Sequence, residues 1–162
     1  MANLSDTSAA APAQLRYPGK VPIFYLPSAA GGQSGPAATR SKYNLVLLFV
    51  EGGEQATKYL QVLSAIHRDI LAEAARVMAV VALPLDEVRA QSERLGIPFT
   101  LLADEEAETT TRMLGENAHA ALCVADRYGV IYYLEVVPST GDLPDVQAVL
   151  DWLEFVQIQC PE

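Results

Sequence analysis

Residues 45–50, LVLLFV, form an unbroken apolar run that leads directly into Glu51, Gly52, Gly53 and Glu54. This run constrains the chain more than any other feature. A strand with one wet face alternates polar and apolar residues. A continuous apolar strand must be buried on both faces, as in sheets covered by helices on each side. The Gly-Gly pair turns the chain, and the next apolar residues are Tyr59, Leu60, Leu63, Ile66, Ile70, Leu71 and Ala74. They recur at helical spacing, which predicts one amphipathic helix over residues 54–76. A buried strand followed by a tight turn and a helix implies an α/β sheet.

The rest of the chain repeats the unit. Residues 77–83 read as a second central strand ended by Pro84. Residues 86–95 read as a short polar helix with Gly96 placed to cap its end. Pro98 holds Ile97 extended before a short strand over 99–102. Residues 105–114 open with acids that suit a helix N-terminus, and Gly115 closes that helix. Residues 120–125 and 130–137 read as an antiparallel hairpin joined by Asp126-Arg127-Tyr128-Gly129. A last helix spans 144–157, with Pro144 in its first turn and a core stripe of Val146, Val149, Leu150, Leu153 and Val156. The alternation predicts a three-layer α/β sandwich: a central mixed sheet, helices on both faces, and the hairpin as an antiparallel edge. Residues 1–20, rich in Ala, Ser and Pro, are expected to form a flexible arm, and residues 21–162 a single domain. Residues 21–26, flanked by Pro22 and Pro27, are expected to be an edge segment at most, before a Gly/Ser/Pro loop over 28–39.

Composition narrows the function classes. The chain has 162 residues and a formal net charge of −9, with no basic run. Phosphate backbones and anionic lipid headgroups are repelled by such a surface, so neither nucleic acid nor a membrane is an expected partner. No stretch approaches the roughly 20 apolar residues of a spanning helix, and residues 1–20 lack the pattern of a secretory signal. A soluble cytoplasmic protein is expected. Its two cysteines, Cys123 and Cys160, are too few for a disulfide scaffold, and a cytoplasmic setting disfavours pairing them.

Several motifs, in order, resemble one family. Pro22-Ile23-Phe24-Tyr25-Leu26-Pro27 is similar to the opening proline–aromatic–Leu-Pro segment of the peroxiredoxins, the alkyl hydroperoxide reductase and thiol-specific antioxidant family. Lys42 and residues 44–49 resemble that family's strand before the active site, and residues 80–86 its strand ending in an Asp-containing loop. LGIPFTLLAD, residues 95–104, resembles its Gly–x–Pro–Phe–x–Leu-Leu–x–Asp segment. Met113-Leu114-Gly115 stands where a family helix ends, and ALCVADRYGVI, residues 121–131, resembles its late hairpin. The resemblance covers residues 22–156 and implies a thioredoxin-like fold.

The family's chemistry uses a Pro-x-x-x-Thr-x-x-Cys signature. Its cysteine is a low-pKa thiolate at a helix N-terminus, where unpaired N–H groups stabilise negative charge. Aligned on the strand, the resemblance puts Glu51 near that proline, Gln55 near that threonine and Lys58 near that cysteine. No cysteine precedes Cys123. Where the family keeps an arginine, this chain has Ala118, His119 and Ala120, and the cis-proline of thioredoxins proper is absent as well. The resemblance thus makes Glu51, Gly52, Gly53, Glu54, Gln55, Thr57 and Lys58 a vestigial active-site turn.

Other candidates are weighed one by one. Cys123 lies in an apolar strand, where burial raises a thiol's pKa and blunts its reactivity. Cys160 is near the C-terminus with nothing beside it to activate it. Glu51 and Glu54 could act as a carboxylate pair, although helix N-terminal charge already accounts for Glu54. His67 reads as part of a solvated helix face. His119 precedes a strand at the end where redoxins build their site. Two isolated histidines lack zinc-ligand spacing, so no metal and no cofactor is expected. Trp152 and Phe155 fall off the last helix's core stripe, which fits either a partner contact or burial against Phe24 and Tyr25. Tyr128, Tyr132 and Tyr133 on the hairpin form a second contact candidate.

Three functions follow. The first is a non-catalytic redoxin-like binding or scaffold module that self-associates or binds a protein. The second is a thiol-dependent oxidoreductase acting through Cys123 or Cys160. The third is a non-redox enzyme on Glu51, Glu54 or His119, which requires a pocket joining those side chains.

Overall fold

The computed structural model describes residues 14–159. In chain order these form β1 (Leu26–Pro27), β2 (Gln33–Ser34), β3 (Asn44–Val50), α1 (Glu54–Ala65), α2 (His67–Ala72) and β4 (Ala75–Val81). Then come α3 (Leu85–Leu95), β5 (Thr100–Ala103), α4 (Glu108–Leu114), β6 (Ala120–Ala125), β7 (Ile131–Val137) and α5 (Gln147–Gln159). Strands β1 and β2 pair as a small separate ribbon, and the central sheet has the order β5-β4-β3-β6-β7. Strands β3, β4 and β5 are parallel, β6 is antiparallel to β3, and β7 is antiparallel to β6. The expected mixed sheet with helices on both faces is the observed one. The hairpin, however, supplies an inner strand as well as an edge. Every residue of β6 is buried, whereas β7 is largely half-exposed, so β7 takes the outside.

Every residue of β3 is buried. Val46, Leu48 and Val50 face Leu60, Leu63, Ile70, Val149 and Leu153 of the helices on one side. On the other side Leu45, Leu47 and Phe49 belong to a second core with Met113 and Leu114 of α4. Being short, α4 leaves much of that face bare, and Leu15, Val21 and Phe24 cover the rest. Of the arm expected over residues 1–20, the described part, residues 14–20, is docked on the domain. Residues 1–13 lie outside the described residues, but Leu15 is only 4% exposed and its N–H donates to the Met113 carbonyl at 3.0 Å. The Val21 N–H likewise donates to Gly129 at 2.8 Å.

The single helix expected over 54–76 is two. Ile66 leaves helical geometry at φ −104° and ψ 12°, which ends α1 and starts α2. Sheet register explains the early end of α2. Asn44 pairs with Ala75, so β4 must begin level with the start of β3. The Asn44 N–H donates to Ala74 at 2.9 Å, and its side-chain amide donates to the Glu73 carbonyl at 3.1 Å and to Gln157 Oε1 at 2.8 Å. The last helix begins at Gln147 rather than Pro144, whose carbonyl accepts the Tyr59 hydroxyl at 2.8 Å.

Two buried carboxylates set the local turns. Asp126 accepts the N–H groups of Tyr128 at 2.8 Å and Val130 at 3.0 Å, which shapes the hairpin. Asp104 accepts the Thr109 N–H at 3.3 Å and the Thr110 N–H and hydroxyl each at 2.7 Å. It therefore satisfies the first turn of α4, which starts at Glu108 rather than at residue 105. Among the described residues no helix is long and apolar enough to cross a membrane. Removing the Asp104 carboxylate strands buried donors. Asp104→Ala is expected to lower unfolding free energy by about 1–3 kcal/mol, read from urea titration, with Asp104→Asn intermediate.

Candidate functional site

Where β3 ends, the chain turns through Gly52 and Gly53 into α1. Gly53 adopts φ 112°, a conformation that a side chain would strain. No side chain caps the helix there. A Cβ on Gly52 would lie 2.7 Å from Leu83 Cδ2, so the turn sits tightly against the loop after β4. The half-buried Glu51 is tied to a distant loop. Its N–H donates to Thr140 Oγ1 at 3.3 Å, and the Thr140 N–H approaches Glu51 Oε1 at 3.5 Å. Gln55 packs on Gly141, where an added Cβ would lie 2.7 Å from Gln55 Nε2. The Thr57 hydroxyl donates back to the Gly53 carbonyl at 3.2 Å and accepts Gln91 Nε2 at 3.4 Å. Glu54 and Lys58 are exposed.

Open clefts lie on either side of this turn. A cleft of about 330 Å³ is lined by Gly53, Thr57, Leu83, Gln91 and Arg94. Another of about 230 Å³ is lined by Gln55, Lys58, Tyr59, Thr140 and Leu143. Neither is lined by Glu51, Glu54 or His119, so the pocket that the non-redox reading requires is not formed by these clefts. His119 is exposed just before β6. Ala121 lies opposite Phe49, which puts His119 at the same end of the sheet as the turn, and its N–H donates to Val137 at 3.2 Å.

Cys123 is paired in register with Leu47 and Leu134 and is wholly buried. Burial pushes its thiol from the usual 9.0 up to about 12. A thiol in that state is neutral and unreactive at physiological pH. Cys160 lies outside the described residues.

The hairpin and last helix bring together aromatics that period-two alternation would separate. Tyr133 opposes Val124 and Ile131 opposes Ala125, so a bulge leaves Tyr132 unpaired in the ladder and turns both tyrosines toward α5. Tyr133 stacks on Trp152 with centroids 5.3 Å apart, Trp152 meets Phe155 at 5.5 Å, and Phe155 meets Tyr132 at 6.2 Å. The alternative burial against Phe24 and Tyr25 is corrected: Phe24 packs on Phe49 in the second core, and Tyr25 is exposed. Tyr128 is exposed at the hairpin tip, under the Arg127 guanidinium at 5.4 Å.

The fold as a whole recurs in solved structures. Peroxidoxin BcpB from Mycobacterium tuberculosis is 17% identical, with a TM-score of 0.74 over 88% of this chain and 99% of that one. A reduced 2-Cys peroxiredoxin from Plasmodium vivax superposes with a TM-score of 0.76 at 14% identity, over 88% of this chain and 82% of the other. A peroxiredoxin-like protein from Aquifex aeolicus gives 0.73 at 16% identity, covering 90% of each. The fold is the peroxiredoxin form of the thioredoxin fold. No family model matches the sequence, and no curated protein matches it.

Within this peroxiredoxin-like fold, residues 51–58 stand at the junction of β3 and α1. Sequence reasoning missed Thr140 and Gln91, which anchor that turn. Thr140 is 89 residues from Glu51, and no local pattern announces such a contact. Two outcomes test the buried thiol. Cys123 is expected to resist thiol reagents in the native protein and to react once urea unfolds it. Its pKa also couples to stability. The unfolded thiol loses its proton near 9.0 and the native one near 12, so stability should fall as pH rises through that window. Tyr59, whose phenol burial also raises, acts in the same sense. Comparing wild type with Cys123→Ala isolates the thiol's share of the pH slope in urea midpoints.

Proposed function

We propose that this chain is a redoxin-fold binding or scaffold module, acting in the cytoplasm without thiol-peroxidase turnover, with its former active-site mouth retired. One observation carries the reading. The turn between β3 and α1 holds Glu51, Gly52, Gly53, Glu54 and Gln55, and it is packed and hydrogen-bonded to Thr140 and Gly141. Peroxidase chemistry needs a thiolate stabilised at a helix N-terminus. Two carboxylates beside this one act in the opposite sense, and the cysteine within the described residues is sealed in the sheet. Peroxide consumption with a thiol-regenerating system is expected to match the buffer blank. Turnover that is lost in Cys160→Ser would overturn the reading in favour of a thiol-dependent oxidoreductase; turnover lost in Cys123→Ser would do the same.

We also propose self-association through the face formed by β7 and α5. Strand β7 is a sheet edge whose first residue is bonded by the N-terminal segment, the Ile131 N–H donating to the Gly19 carbonyl at 2.9 Å; from Tyr133 on it has no outer ladder partner among the described residues, and such an edge favours a partner. Phe155 and Ile158 of α5 are 45% and 67% exposed on this face. Light scattering is expected to give a dimer mass for wild type and a monomer mass for Phe155→Glu. A monomeric wild type across accessible concentrations would remove this part of the proposal.

A further inference from the structure

A cavity of about 550 Å³ opens at the opposite end of the sheet from the Glu51 turn. It lies beneath the first residues of β4 and β5, between α2 and the loop before β3. Arg76 lines it, whereas the Glu51 turn adjoins the far end of β4, at Val81. The separation is roughly 16 Å along the strand. The volume falls within the range of about 300–1,000 Å³ typical of small-molecule sites.

Its lining joins two chemistries. Leu71, Ile97, Phe99 and Leu101 form an apolar wall. Against it stands Arg76, whose guanidinium carbon is 3.7 Å from the centroid of the Tyr43 ring and whose Nη1 donates to the Ala75 carbonyl at 3.0 Å. Stacking and that bond hold the guanidinium in place while most of its five N–H donors stay available. Among the described residues no carboxylate pairs with Arg76. That is notable in a chain with 20 acidic side chains against 11 Lys and Arg, where a basic group has many candidate partners. His67 also lines the cavity, with its ring 5.7 Å from that of Phe99. Burial first, and then the Arg76 charge, lower the imidazole's pKa, so Arg76 is the cavity's main positive charge at neutral pH.

We propose that this cavity binds a small aromatic carboxylate, with the carboxylate on the Arg76 guanidinium and the ring against Phe99 and Leu71. A planar fork of donors fits a carboxylate in bidentate fashion. A single fixed cation suits a monoanion better than a phosphate dianion in a protein of net charge −9. The apolar wall requires a ligand with an apolar body, which excludes bare inorganic anions. The site is separate from the β3–α1 turn and does not depend on that turn being retired.

The test is NMR titration of the full chain with phenylacetate, with its neutral amide phenylacetamide and with inorganic phosphate. Phenylacetate is expected to bind saturably, shifting the amides of Met78, Thr100 and Leu101. The amide should bind about tenfold or more weakly, because it forfeits a charge-assisted bond. Arg76→Gln should weaken phenylacetate by a similar factor. Ala38→Trp, which fills the exposed rim and spares Arg76, should block it while leaving the spectrum folded. Absence of saturable phenylacetate binding, equal affinity for acid and amide, or tighter binding of phosphate would each overturn the proposal. So would shifts centred on residues 51–58, which would move the ligand to the other end of the sheet. Because these readouts involve no peroxide, their failure is distinct from a failure of the peroxidase assay.

Discussion

The structure depends on the double burial of β3. Its backbone pairs with β4 on one side and β6 on the other, and its side chains enter two separate cores. A strand in that position needs cover on both faces, because each exposed Leu or Phe would forfeit about 1.5–3 kcal/mol of burial. Helices α1, α2 and α5 cover one face. The other has α4 and, beyond it among the described residues, the N-terminal segment, from which Leu15, Val21 and Phe24 are drawn in. Docking of that segment therefore follows from the length of α4.

Parallel pairing of β3, β4 and β5 gives the sheet two unlike ends. At the C-terminal ends of the strands, the chain turns through a glycine pair, and acidic residues collect at the start of α1. At the N-terminal ends, Arg76 is laid over Tyr43 beside an apolar hollow. The first end is where thioredoxin-like folds carry redox chemistry, and residues 51–58, which form the turn there, contain no cysteine. The second end owes its cavity to the break between α1 and α2. That break turns His67 and Leu71 toward the start of β5 instead of continuing one helix past it.

Much of the architecture was legible because it rests on local physics. The apolar run at 45–50 announces an inner strand, and Gly96, at φ 63°, ends α3 as a left-handed cap. Asp126 and Gly129 announce the hairpin. What was not legible depends on partners far away in sequence. The apolar spacing continues through Ile70, Leu71 and Ala74, yet the pairing of Asn44 with Ala75 ends α2 at Ala72. Trp152 and Phe155 looked like a helix flank without a mate until a bulge turned Tyr132 and Tyr133 toward them.

For the candidate site the division is sharper. Sequence alone determined that residues 51–58 contain no thiol, that Cys123 lies in an apolar strand, and that the chain is strongly acidic. These are matters of residue identity and local pattern, and folding does not alter them. Only the tertiary structure decided that Glu51 is held by Thr140, that His119 shares no cleft with the carboxylates, and that Arg76 stands at a cavity with no acidic partner among the described residues. Each of these is a relation between side chains on different elements. Such relations are set by sheet register and helix packing, which no short stretch of sequence encodes by itself.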